Sequence, residues 1–140
     1  LMIDGLRARA ASAGLRNVQA HVADGQALPF PDARYDRAFS MFGLIFFPDR
    51  ARGLRELLRV LKPGGRALVS SWYPVEHVPI LQAAFAAVRE VLPGLPFGAG
   101  RAPLGDADEL RQAFQAAGFR HAFVVKSEHV ARYLTMNAYV

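Results

Sequence analysis

Three short segments of the 140-residue chain carry side chains suited to small-molecule chemistry: Asp24-Gly25, Met41-Phe42-Gly43 and Trp72-Tyr73, the last followed by Glu76 and His77. An ionised aspartate is a hydrogen-bond acceptor only, so it recognises a donor on a ligand. Histidine exchanges a proton near neutral pH. Tyr73, Glu76 and His77 follow a strand end, where they could face a substrate or equally form a solvated loop. Other chemistries are ruled out by composition. With no cysteine, the chain has no thiolate nucleophile, disulfide framework or zinc–thiolate site. Its four histidines lack metal-ligand spacing, and no Gly-x-Ser-x-Gly elbow occurs.

The elements that must position these residues follow from periodicity and punctuation. The opening stretch reads as a helix to about Ala13, with Leu6 and Ala10 inward and Gly14 as a left-handed C-terminal cap. Val18, Ala20 and Val22 alternate as in a short strand, closed by Asp24-Gly25. Leu28-Pro29-Phe30-Pro31-Asp32 continues neither a helix nor an interior strand and reads as a loop with apolar anchors. Tyr35 to Phe42 is apolar enough for a strand buried on both faces. Pro48 fits the first turn of a helix running to about Leu61, which Lys62-Pro63-Gly64-Gly65 stops, before a strand from Ala67 to Trp72. Val78, Leu81, Phe85, Val88 and Leu92 recur at helical spacing, and Pro93 to Gly105 reads as a loop. Asp106 and Glu109 fit a capping box for a helix ended by Gly118, followed by a strand from Phe119 to Lys126. Residues 129–140 are ambiguous between strand and helix.

Helix and strand therefore alternate, the pattern of an α/β fold with a mainly parallel sheet and helices on its faces, within one domain spanning residues 1–140. Ligands in such sheets bind outside the carboxyl ends of the strands. Those ends are the three segments named at the outset.

Composition narrows the partners. Apolar residues make up 52% of the chain, enough for a packed core. No apolar run reaches the roughly 18 residues of a membrane span, and the opening lacks the pattern of a signal peptide, so no membrane and a cytoplasmic setting are expected. The net charge of +5 invites a nucleic-acid reading. Yet Arg52, Arg55 and Arg59 fall on one face of an amphipathic helix, diluted by Glu56 and without interleaved aromatics. A solvated basic face is expected there, and no nucleic-acid partner.

Asp24 to Asp32, then Tyr35-Asp36, Phe42-Gly43-Leu44 and Arg59-Val60-Leu61-Lys62-Pro63-Gly64-Gly65-Arg66, resemble in order and spacing the class I S-adenosylmethionine-dependent methyltransferases. They are similar to the small-molecule branch that includes the ubiquinone and menaquinone biosynthesis C-methyltransferases. The resemblance covers roughly residues 1–126 and is strongest between Asp24 and Trp72. It implies a Rossmann-like three-layer sandwich, S-adenosyl-L-methionine as cofactor, and methyl transfer to a carbon, oxygen or nitrogen of a small-molecule acceptor. It also implies that Asp24 accepts a hydrogen bond from the adenine amino group and that Gly25 lets backbone approach the ring edge. Gln26 would lie in the same cofactor loop, with Met41 and Phe42 beside the cofactor. Many relatives carry a small polar residue where this chain has Met41. No triad is needed for such transfer; His77 is the one candidate for a general base.

The family's Gly-rich loop and its first two strands have no counterpart here, since Leu1 corresponds to the helix after the second strand. The chain is expected to be an N-terminally truncated domain, inactive alone. Its remaining strands would pair directly or leave apolar edges exposed, with poor solubility as the consequence. The rival readings are a fragment of a nicotinamide-dependent Rossmann oxidoreductase and a non-catalytic interaction module. The Asp24-to-Phe30 and Lys62-to-Gly65 blocks favour the methyltransferase.

Overall fold

A computed structural model describes residues 2–94 and 103–128. The order of elements is α1 (Met2–Ser12), β1 (Tyr35–Met41), α2 (Arg50–Val60), β2 (Leu61–Ser70), α3 (Pro79–Val91) and α4 (Ala107–Ala116), with short 3-10 turns at Leu44–Phe46 and Val75–His77. β1 and β2 pair in parallel, Phe39 opposite Leu68 and Met41 opposite Ser70. The α/β class and the parallel sheet agree with the sequence reading.

Helix ends form where local chemistry dictates. Gly14 takes a left-handed φ of +67°, and the amides of Gly14 and Leu15 donate back to the Ala11 and Ala10 carbonyls. Gly118 closes α4 the same way: its amide reaches Gln115 O, the Phe119 amide reaches Phe114 O, and the two phenylalanine rings meet edge to face at 4.9 Å. At the start of α4, Asp106 accepts from the amides of Asp108 and Glu109. Glu109 does not complete the expected box; its carboxylate accepts from the Leu104 amide instead.

Strands are where local pattern and structure part. The segment 18–22 is not a strand, and Asp24 makes only an isolated antiparallel bridge to Ala27. Residues 119–126 form no strand, with a bend at Arg120. Both have the alternation of strands, but backbone groups become a strand only when a neighbour takes their hydrogen bonds, and among the described residues neither has one. β2 starts at Leu61, earlier than expected, directly off α2. Lys62 to Gly65 therefore sits inside β2 as a bulge opposite the step from Tyr35 to Arg37, with Gly64 at φ +78°.

The core lies on one side of the sheet. Leu44, Leu54, Leu104 and Ala117 are buried together, with Val69, Phe47 and Phe114 packed against them. The other side is open: Phe39 is 65% exposed and Leu68 49%. β1 is thus not buried on both faces among the described residues. Leu6, expected inward, is 40% exposed; of α1 only Ala10 is buried. α3 has the expected length, with Leu81, Phe85 and Val88 half-buried on one face. Residues 129–140, expected as strand or helix, and most of the expected Pro/Gly-rich loop, 95–102, lie outside the described residues. No helix among the described residues is long and apolar enough to cross a membrane.

Candidate functional site

The loop that follows the first helix is held against α2 at several points. Asp24 Oδ1 accepts from the Gln26 amide at 2.8 Å and from Gln26 Nε2 at 3.3 Å. These bonds, the backbone one foremost, hold the Asp24 carboxyl below the usual carboxylate range. Asp24 Oδ2 has no hydrogen-bond donor among the described residues. It is an ionised, exposed acceptor with one oxygen committed and one open. Gln26 looks the other way as well, its Oε1 accepting from the Asp49 amide at 2.7 Å. Asp49 in turn caps α2, accepting from the Arg52 amide.

Gly25 lies against the Cζ end of the Phe47 ring. A Cβ at Gly25 would sit 2.3 Å from Phe47 Cζ, so no larger residue fits without moving the ring. Gly53 of α2 also lies against this ring, where a Cβ would meet Phe47 Cδ2 at 2.5 Å. Phe47 therefore packs against two glycines, and it joins the Asp24 loop to α2 and to the segment leaving β1.

Met41 and Phe42 stand at the carboxyl end of β1. Phe42 has φ +54°, an uncommon conformation for an aromatic residue. Ser70 at the end of β2 secures it, accepting from the Phe42 amide at 3.0 Å, while the Ser70 hydroxyl points to Met41 Sδ. Ser40 Oγ accepts from the Leu44 amide. The Phe42 and Trp72 rings stack at 4.5 Å with 22° between planes. Strain of this kind tends to collect at ligand-binding sites, and here it joins the two strand ends through a pair of rings.

The expected site residues thus fall into two groups on one connected segment. Asp24, Gly25 and Gln26 gather about Phe47 and Asp49; Met41 and Phe42 gather about Ser70 and Trp72. Residues 42–49 link the groups, and no hydrogen bond joins them directly among the described residues. Farther along, His77 rests against Tyr73 with ring centroids 5.2 Å apart, and Lys126 Nζ lies 4.3 Å above the Tyr73 ring. Among the described residues no cluster of His, Asp or Glu could hold a metal ion.

Sequence reasoning missed the strongest anchor. Arg59 was read as part of a solvated basic face, but its side chain is only 30% exposed and turned into the Leu28–Asp32 loop. Nε donates to Glu56 Oε1 and NH2 to Glu56 Oε2, at 2.7 and 2.8 Å. The remaining bonds run to Phe30 O, Asp32 Oδ1 and Leu28 O at 2.7, 2.7 and 3.0 Å. Glu56 Oε2 also accepts from the Leu28 amide at 2.8 Å. The Arg59 contact, ahead of the Leu28 amide, holds the Glu56 carboxyl down at about 2. The signal for this was the loop itself: Pro29 and Pro31 donate nothing, so its carbonyls need a donor from elsewhere.

Residues 1–69 match a methyltransferase domain family. Over 136 residues the chain is 27% identical to the methyltransferase tpcH of Aspergillus fumigatus, spanning 91% of this chain and 46% of that protein. It is 39% identical over 95 residues to the ubiquinone/menaquinone biosynthesis C-methyltransferase UbiE of Escherichia coli, spanning 68% and 36%. Among solved structures it is similar to a SAM-dependent methyltransferase of Thermotoga maritima, described as a possible histamine N-methyltransferase, with 26% identity and a TM-score of 0.55 over 78% of this chain and 49% of that one. The chain spans less than half the length of each of these relatives.

Proposed function

We propose, from a chain that belongs to the class I S-adenosylmethionine-dependent methyltransferases, that the whole protein transfers a methyl group from that cofactor to a carbon, oxygen or nitrogen of a small-molecule acceptor. The observation that carries the reading is the state of Asp24: ionised, one oxygen tied to Gln26, the other open. The adenine amino group is a donor that must be satisfied on binding, and an acceptor-only carboxylate with a free oxygen suits it.

When bound, the cofactor supplies an electrophilic methyl group on a sulfonium. This chain's residues bind and orient. Asp24 would hold the base and the Gly25 and Gln26 backbone would meet its edge, while the Gln26 side chain bonds to Asp24 and the Asp49 amide. Met41 and Phe42 would stand beside the cofactor, and Phe42, with the Trp72 ring stacked on it, would offer it an apolar surface. His77, next to Tyr73, is the candidate to take a proton from an acceptor that must lose one. The Asp24 and Lys62–Gly65 blocks that favoured a methyltransferase over a nicotinamide-dependent enzyme lie inside the matched span.

Calorimetric titration of the full-length protein with S-adenosylhomocysteine tests the reading. Asp24→Ala is expected to weaken binding about tenfold or more, the scale of a hydrogen bond to a charged acceptor. Unchanged affinity in a folded variant overturns the assignment.

A further inference from the structure

Arg59 lies far along α2 from Asp24, yet its geometry is that of a component built for the loop. An arginine has five N–H donors in a fixed planar fork. In Arg59 all five are spent: two on the Glu56 carboxylate, two on the carbonyls of Leu28 and Phe30, one on Asp32. The same loop has few bonds of its own. Its only internal backbone bond is Ala27 to Asp24, and prolines at 29 and 31 remove two donors. Without the fork, Leu28–Asp32 would be a short apolar strap with unpaired carbonyls. With it, the strap is fixed on α2, and the Ala33 and Arg34 amides continue onto the Arg59 and Val60 carbonyls at 2.9 Å before β1 begins.

We propose that Glu56 and Arg59 are positioning residues for the cofactor's base: by fixing the Leu28–Asp32 strap, they hold the Asp24 carboxylate where its free oxygen meets the adenine amino group. This rests on the adenine role of Asp24. The loop has two fixed ends, Gln26 on the Asp49 amide and Leu28 on Glu56 and Arg59. Gln26, which holds the Asp24 carboxylate, stands two residues before Leu28, so slack at Leu28 shifts Gln26 and through it the carboxylate. Fixing the loop before binding removes an ordering cost that the ligand would otherwise meet. The helix contributes nothing to the chemistry; its part is to aim.

The test compares two ligands on the full-length protein: S-adenosylhomocysteine and S-inosylhomocysteine, which carries a carbonyl in place of the amino group. The wild type is expected to prefer the first about tenfold or more. In Glu56→Gln and Arg59→Met the preference should fall towards unity, with KM for the methyl donor rising and kcat little changed. Arg59→Lys retains charge and a long stem but not the fork, so it should behave like Arg59→Met and covers the case where the latter fails to fold. Lys62→Met removes the exposed ion pair to Asp36 and should leave the preference intact. A wild type that discriminates beside Glu56 and Arg59 variants that discriminate equally overturns the positioning role alone. A wild type that does not discriminate overturns the Asp24 reading and this inference with it.

Discussion

Replacing Gly53 by alanine sets two effects of known size against each other. In the interior of a helix, alanine is favoured over glycine by about 1 kcal/mol, so propensity alone says that Gly53→Ala stabilises α2. The surroundings say otherwise. The added methyl would lie 2.5 Å from Phe47 Cδ2 and 2.8 Å from Leu44 Cδ1. Leu44 is fully buried, and Phe47 is a rigid ring that also packs against Gly25, a Cβ there falling 2.3 Å from it. Overpacking of this kind costs about 1–3 kcal/mol. The clash therefore wins, with a net loss of about 1 kcal/mol. Urea unfolding followed by far-ultraviolet circular dichroism reads the difference; with a slope of about 1–3 kcal/mol per molar, the midpoint should fall by roughly half a molar. Phe47→Leu in the Gly53→Ala background should recover part of the loss. A midpoint that rises in Gly53→Ala would show that Phe47 and Leu44 yield freely, and the account of tight packing about Phe47 would go with it.

Other expectations concern acid and the helix ends. The Glu56 carboxyl is held at about 2 against an ordinary 4.5; a depressed value means stability present above 4.5 and lost as pH falls through 2. The gap between wild type and Glu56→Gln in thermal midpoint should thus be full at pH 6 and close between pH 4.5 and 2; a gap that persists at pH 2 would refute the charge-based origin. Gly118→Ala should destabilise by about 1–2 kcal/mol from backbone strain alone, since Gly118 has φ +102°, and by more because the methyl would also press on Leu58 Cδ2 at 3.0 Å. Gly14→Ala, at φ +67° with nothing within 4 Å, isolates the strain component in the same urea experiment, and equal losses at the two sites would remove Leu58 from the account.

Features encoded by a few adjacent residues were legible in the sequence. Gly14 and Gly118 end their helices because only the left-handed region satisfies the last carbonyls, and α3 follows the spacing of Leu81, Phe85 and Val88. Features that need a partner were not. Val18 to Val22 and Phe119 to Lys126 alternate correctly, but alternation cannot show whether a neighbouring strand is present. Lys62-Pro63-Gly64-Gly65 reads as a stop; whether the chain pairs across it depends on Tyr35 standing opposite Leu61. Of the candidate site, Asp24 and Phe42 are proposed from their blocks alone, whereas the contacts of Phe47 and Arg59 reach partners 22 to 31 residues away in sequence. An arginine on the polar side of an amphipathic pattern looks solvated until the loop that it holds is placed.

The stacked rings at the strand ends also carry an optical consequence. Trp72 is the sole tryptophan of the chain, so light absorbed beyond the tyrosine band is emitted from one point, face to face with Phe42 and 42% exposed. Its spectrum reports the polarity at the carboxyl ends of β1 and β2 and nowhere else. A molecule arriving there must quench or shift that emission, and the separation of the two strand ends will show as a red shift, without any label being attached.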